Sequence, residues 1–401
     1  MSQLRGHALI GQSGGPTAVI NQSLVGLVES CLEHPDITGV YGALNGIEGI
    51  IEERLIDLGR ESSEELERVA MTPAAALGSV RRKPTPEACR RVLDVFKAHD
   101  IRYFFYVGGN DSAETAHLLN EAALEIGYDV RLFHVPKTID NDLAGCDHTP
   151  GFGSAARFVA QAFMGDDQDN RSLGGVKINV VMGRHAGWLT AASRLARRQA
   201  GDGPHLIYLP EGVFDRQQFC ARVEEMLQAH GRCLVAVSEG IHDADGNVIA
   251  KGTEVDSHGN IQLSGTGALG DYLSELVKRD VPSAKRVRAD TFGYLQRSFF
   301  GVVSEQDALA ARVATSGERG HGSLAIQRGG DGGAYQPSYV VNDLSVVAAA
   351  TRHVPEDFIE GPDDVSEAFV EWAAPLVGEL PVPGRLASHP VSPRAGVPQP
   401  S

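Results

Sequence analysis

Lys137, Thr138, Asp140 and Asp142 stand within six residues of one another, directly after the apolar run at 131–135. An ammonium, a hydroxyl and two carboxylates this close together make a poor packing element. At the C-terminal end of a buried strand they suit phosphoryl transfer. The cation offsets phosphate charge, the hydroxyl donates a hydrogen bond, and a carboxylate takes a proton. Two glycine loops accompany them. Gly108-Gly109-Asn110-Asp111-Ser112 follows the apolar run at 102–107, and Gly11-Gln12-Ser13-Gly14-Gly15-Pro16 follows the run at 7–10. Lacking a Cβ, glycine lets the backbone approach a phosphate closely, and free N–H groups at a helix start favour anions. Taken singly, each glycine pair is also an ordinary strand-to-helix turn; beside the charged loop, the phosphate reading is the stronger.

Short apolar strands alternate with helical stretches, which predicts parallel sheets with helices on both faces. Strands are expected at 7–10, 101–107, 131–135, 176–182, 206–209 and 233–237. Helices are expected near 18–29, from about Ala113, and over 189–199. Ligands of such sheets bind outside the carboxyl ends of the strands, where the loops above lie.

The 401 residues are 42% hydrophobic and 22% charged, as expected of a globular enzyme of two α/β domains. A formal net charge of −16 argues against non-specific nucleic-acid binding, so phosphate must be handled by a local island of Lys and Arg. Cys31, Cys89, Cys146, Cys220 and Cys233 lack metal-like or redox-like spacing and read as reduced, mostly buried thiols of a cytoplasmic protein. Residues 1–10 do not read as a signal peptide, and no apolar run approaches the ~20 residues of a membrane helix. The proline-rich stretch 381–401 reads as a disordered tail.

The loops belong to a longer ordered set. Met182-Gly183-Arg184-His185-Ala186-Gly187-Trp188, Ser238-Glu239-Gly240 and the run from Arg288 to Arg297 complete it. Together these segments, spread over roughly residues 5–350, resemble the phosphofructokinase family, and within it the pyrophosphate-dependent 6-phosphofructokinases. The resemblance implies two Rossmann-like three-layer α/β domains with mostly parallel sheets, interleaved in sequence. Residues 1–151 plus 301–350 would form the phosphoryl-donor domain. Residues 152–300 plus 351–380 would form the sugar-phosphate domain.

The implied reaction is reversible, Mg²⁺-dependent transfer of a phosphoryl group from pyrophosphate to C1 of fructose 6-phosphate. Asp140 would be the base, assisted by Asp142, with Thr138 and Lys137 beside the phosphoryl group in transit. Gly14, Gly15, Gly109, Asn110, Asp111 and Arg81 would bind the donor, with Arg82 a weaker candidate beside Arg81. The sugar phosphate would meet Thr138, Asp140, Met182, Gly183, Arg184, Glu239, Arg288, Tyr294 and Arg297. Arg288 would reach it across a subunit boundary in a homodimer or homotetramer. Lys177 would assist, whereas His185 and Trp188 read as packing residues. Asn110 and Asp111 would serve the metal. Most of the family has aspartate at position 110, so the amide here shifts the charge partnership towards Asp111. A helix N-cap is the lesser alternative for the Asp111 carboxylate.

Asp111 and Lys137 occupy positions where ATP-dependent relatives have glycine, which argues against ATP as donor. Sedoheptulose 7-phosphate is a rival acceptor. A NAD-kinase-like protein would share a glycine-pair loop but not the segments at 182–188 and 288–297. A non-catalytic sugar-phosphate-binding paralogue would be expected to have lost Asp140 or Arg184; both are present.

Overall fold

The computed structural model describes residues 4–249, 267–313, 322–329, 335–348 and 351–392. Strands β1 (Gly6–Gln12), β2 (Ile37–Ala43), β3 (Leu55–Asp57), β4 (Ile101–Gly108) and β5 (Arg131–Pro136) come first. After them come β6 (Gly175–Val181), β7 (Leu206–Tyr208), β8 (Arg232–Ser238), β9 (Val287–Thr291), β10 (Gly322–Gly329) and β11 (Gln336–Asn342). Two main sheets form, ordered β11-β10-β5-β4-β1-β2-β3 and β7-β8-β6-β9. Within these two sheets all pairings are parallel except β2 with β3 and β10 with β11. The late strands β10 and β11 return to the first sheet after the second is complete, so the two α/β units are interleaved in sequence.

Both sheets are covered on both faces. In β1, Ala8 and Ile10 point into one buried cluster and Leu9 into another. In β8, Val235 and Val237 join one cluster while Leu234 and Ala236 join a second. Successive strand residues face opposite sides, so a strand covered twice reads as a continuous apolar run. This is why these strands stand out in the sequence. In contrast, β9 alternates buried Val287 with exposed Arg288 and Asp290 and is not legible as an apolar strand.

The long helix Phe152–Leu173 was also not anticipated. Its Phe152 and Phe163 are fully buried. The Asp307 carboxylate accepts hydrogen bonds from Gly151 N and Ser154 N, each at 2.9 Å. A carboxylate there satisfies the unpaired N–H groups of the helix start, although it arrives from a helix, Glu305–Val313, far along the chain. Over 189–199 the expected helix is shorter. Helix Trp188–Ala192 tightens into a 3-10 turn at Ser193–Ala196. The Asp202 carboxylate then accepts the backbone N–H groups of Arg198 and Gln199, which pulls the chain out of helical geometry.

All five cysteines are free and buried. Among the described residues, no helix is long and apolar enough to cross a membrane. Of the expected tail, 393–401 lies outside the described residues; 381–392 form no regular element. Even so, Gln199 Nε2 donates to the Pro383 carbonyl at 2.7 Å, and Arg385 pairs with Asp202.

Candidate active site

The carboxyl ends of β1, β4 and β5 open into a cleft of about 320 Å³, closed on the far side by residues that follow β6, β8 and β9. Gly14, Gly15, Gly109, Asn110, Asp111 and Arg81 line it from the first unit. Met182, Arg184, Glu239, Tyr294 and Arg297 line it from the second, and Lys137, Thr138, Asp140 and Asp142 lie between. Arg81, Arg82, Lys137, Arg184 and Arg297 make it a basic island in an acidic protein.

The loop after β5 is held from several sides. Lys137 N donates to the Gly108 carbonyl at 2.9 Å, and Thr138 N to that of Pro150 at 3.2 Å. Thr138 Oγ1 accepts the Asp140 N–H at 3.1 Å, which leaves its own proton to donate outward. The Lys137 ammonium, 2% exposed, donates to the Gly15 carbonyl at 2.6 Å. Burial first, and then the nearby Arg297 guanidinium, bring its pKa down to about 7. Burial together with the Asp140 carboxylate pushes Asp142 up to about 7.

The glycine loops are shaped for close approach. Gly14 has φ +76°, and a Cβ there would lie 3.3 Å from Lys137 Nζ. At Gly108 a Cβ would meet Ser112 Oγ at 1.9 Å, so only glycine allows the chain to turn into the helix Asn110–Glu125. His134 anchors this turn from beneath. Its Nε2–H donates to the Gly108 carbonyl at 2.9 Å, and its Nδ1 accepts from Ser323 Oγ at 2.7 Å. Burial lowers its pKa to about 4, so the ring is neutral, as this bonding requires.

Three residues that sequence reasoning missed fix the wall carrying Arg81 and Arg82. Buried Gln12 Oε1 accepts Leu77 N at 2.9 Å, and buried Asn21 Oδ1 accepts Ala76 N at 3.0 Å. Ser79 Oγ donates to the Gly14 carbonyl at 2.6 Å. The available signal was an amide inside otherwise apolar stretches: Gln12 ends β1, and Asn21 opens helix Ile20–Glu33.

Asp111 lies in the first turn of its helix, whose N-cap is Gly109, so it does not serve as the cap. Its side chain is 62% exposed and pairs with Lys83 at 3.8 Å. Asn110 Nδ2 donates to Asp142 Oδ2 at 3.1 Å, while Asn110 Oδ1 is buried without a hydrogen-bond partner. That orphaned oxygen, beside a carboxylate in a phosphate-shaped cleft, fits a hard cation such as Mg²⁺.

Arg297 stacks on Tyr294 at 4.6 Å, and a Cβ on Gly15 would come 3.0 Å from its Cζ, so it lies against the donor loop as well. Gly183 sits between Met182 and Arg184 without lining the cleft itself. Arg288 is exposed on β9, opposite Lys177 and outside the cleft lining. Lys177 pairs with Asp166 and Asp290, also outside the cleft. His185, expected to pack, is exposed at the cleft, whereas Trp188 is fully buried.

Residues 7–316 match the family model described as phosphofructokinase. The chain is 49% identical to a pyrophosphate–fructose 6-phosphate 1-phosphotransferase of Rhodospirillum rubrum, across 97% of this chain and 98% of that protein. An enzyme of the same name from Halomonas elongata is 38% identical over 96% of each chain. The crystal structure of a pyrophosphate-dependent phosphofructokinase from Nitrosospira multiformis superposes with a TM-score of 0.84 at 33% identity, covering 98% of this chain and 95% of that one.

Proposed function

The chain belongs to the phosphofructokinase family, and from that premise we infer that it is the phosphotransferase that moves a phosphoryl group between pyrophosphate and fructose 6-phosphate. In the forward direction the C1 hydroxyl oxygen attacks the terminal phosphorus of pyrophosphate. The bond from that phosphorus to the bridging oxygen breaks, inorganic phosphate leaves, and the hydroxyl proton passes to a base. Product and donor are both phosphoryl donors, so the same groups serve the reverse reaction.

Asp140 is the proposed base, since it lines the cleft beside Thr138 and Asp142. Lys137 and Arg297 are proposed to offset charge on the phosphoryl group in transit. Gly14, Gly15, Gly109 and Arg81 cradle the donor, and Met182, Arg184, Glu239 and Tyr294 receive the sugar phosphate, with Gly183 proposed to serve through the backbone turn between Met182 and Arg184. Arg288 is proposed to act on the neighbouring subunit's sugar phosphate in a homo-oligomer, in keeping with its exposure. Asn110 Oδ1 and Asp111 are proposed to serve Mg²⁺, with Asp142, bonded to the Asn110 amide, beside them. When bound, the ion would neutralise charge on the donor oxygens. We take residues 1–151 with 301–350 as the donor domain and 152–300 with 351–380 as the sugar-phosphate domain. In support, β10 pairs with β5, and helix Glu367–Val377 shares a core cluster with helix Phe152–Leu173. The proposed compartment is the cytoplasm.

The observation that carries the donor assignment is buried Lys137, tied to Gly15 where a donor phosphate would sit. Purified protein, assayed with pyrophosphate and with ATP against fructose 6-phosphate and sedoheptulose 7-phosphate, tests it. Pyrophosphate with fructose 6-phosphate is expected to be turned over fastest. Faster turnover of ATP would overturn the donor assignment, and faster turnover of the seven-carbon sugar the acceptor assignment.

A further inference from the structure

Residues 351–354 run between the loop that carries Asp140 and the segment that carries Arg184, and they are bonded to both. On the loop side, Thr351 forms an antiparallel bridge with Leu143. Arg352 N donates to the Asp142 carbonyl at 2.8 Å, and Arg352 Nη1 donates to the Asn141 carbonyl at 3.2 Å. On the acceptor side, Trp188 Nε1 donates to the Arg352 carbonyl at 3.1 Å. The guanidinium lies over the Trp188 ring, with Cζ 4.1 Å from the centroid. The Glu211 carboxylate accepts Gly187 N at 3.0 Å and Val354 N at 2.9 Å, which fastens the two segments a second time.

Two further features single out Arg352. Its guanidinium makes no ion pair within 4.0 Å among the described residues; it bonds a backbone carbonyl and lies over the Trp188 ring, with the Trp372 ring centroid 5.8 Å away, so it acts as a spacer and clamp. The residue it grips, Asn141, has φ +56°. Asparagine tolerates that region better than other non-glycine residues do, and here its contacts fix it there. Here Thr149 N holds the Asn141 Oδ1 at 3.0 Å and Arg352 holds the carbonyl. This residue lies in sequence between the two active-site carboxylates.

We propose that Arg352 is a positioning residue for phosphoryl transfer. It fixes the Asn141–Asp142 backbone against Trp188, and so sets the carboxylates of one unit against the acceptor segment of the other. Reacting groups misplaced by about 1 Å can lose on the order of 10²-fold in rate, and this clamp acts on the backbone that determines their placement. The inference rests on the phosphotransferase reading.

Arg352→Lys keeps the charge but loses the planar fork; Arg352→Gln loses both. Two measurements decide the matter: amide hydrogen exchange of the ligand-free protein, and steady-state kinetics with pyrophosphate and fructose 6-phosphate. Both variants should exchange faster, by about 10-fold or more, within 138–149, with helix Arg216–His230 unchanged. They should lose about 10–100-fold in kcat with both KM values within about 3-fold. Wild-type exchange in 138–149, or a kcat within about 2-fold of wild type, would overturn the proposal. If Arg352→Gln fails to fold, Arg352→Lys supplies both readouts. A wild-type protein inactive on these substrates would sink the phosphotransferase reading instead, while the exchange data would still decide whether Arg352 holds the loop.

Discussion

The Lys137 ammonium donates to the Gly15 carbonyl at 2.6 Å, joining two loops 122 residues apart in the chain. One end of this bond belongs to the glycine loop after β1 and the other to the acid-bearing loop after β5. A cation fixed there is prepaid: it needs no reorganisation when negative charge moves past it.

Lys137→Met is therefore expected to lower kcat with pyrophosphate by about 10²–10³-fold, the usual cost of removing a preorganised charge. The wild-type group has a pKa of about 7, so kcat/KM for pyrophosphate should fall as pH rises above about 7, when the ammonium is lost. Bound pyrophosphate favours the cation, so the corresponding limb in kcat should lie at higher pH. The variant should lack both limbs; pH–rate profiles of the two proteins check this.

The same burial predicts opposite stability slopes for two neighbours. Lys137 has a lowered pKa, so the unfolded chain binds more protons between about pH 7 and 10.5, and stability should rise with pH across that window. Asp142 has a raised pKa, so the folded chain binds more protons between about pH 4 and 7, and stability should fall as pH rises there. Thermal unfolding against pH should show Lys137→Met raising Tm most below pH 7, with the gain fading towards pH 10.5. Asp142→Asn should flatten the decline between pH 4 and 7.

Asp140→Ala tests the base. Its kcat should drop roughly 10²–10⁴-fold, the range of general-base catalysis, with small changes in KM. Near-normal kcat would remove Asp140 from that role.

Asp111 is exposed in the first turn of its helix, paired with Lys83, and adds negative charge at the donor end of the cleft. Asp111→Gly should let ATP be turned over slowly while pyrophosphate remains the better donor. Paired donor assays read the ratio directly, and an unchanged ATP rate would discard the exclusion argument.

Arg288 is exposed and outside the cleft lining of its own chain. Arg288→Ala should raise KM for fructose 6-phosphate with less effect on that for pyrophosphate. Mixed with Asp140→Ala subunits, it should recover part of the wild-type activity if sites are shared. No recovery, with subunit exchange demonstrated by mass spectrometry, would make each chain self-sufficient.

Much of this was legible in the linear chain. Strands buried on both faces read as largely apolar runs, so β1, β4, β5, β6 and β8 announce themselves. The charged and glycine residues that follow them could not be core, which left chemistry as their purpose. Helix limits near Gly109 and Gln199 shifted because a close Ser112 and the Asp202 carboxylate, respectively, decide where the chain turns.

What the sequence determined by itself was the set of local units: the strands, the turns at their carboxyl ends, and the residue types gathered there. Local backbone geometry and burial pattern depend on neighbours within a few positions, and those are written in order. Tertiary structure alone decided the pairings across distance. Lys137 meets Gly15, Asp307 caps the helix at Phe152, Gln12 and Asn21 hold the wall of Arg81, and Arg352 clamps Asn141 to Trp188. Each joins segments remote in sequence, and nothing in the local sequence names the partner. Such contacts exist only once the sheets have packed and brought both partners out of water.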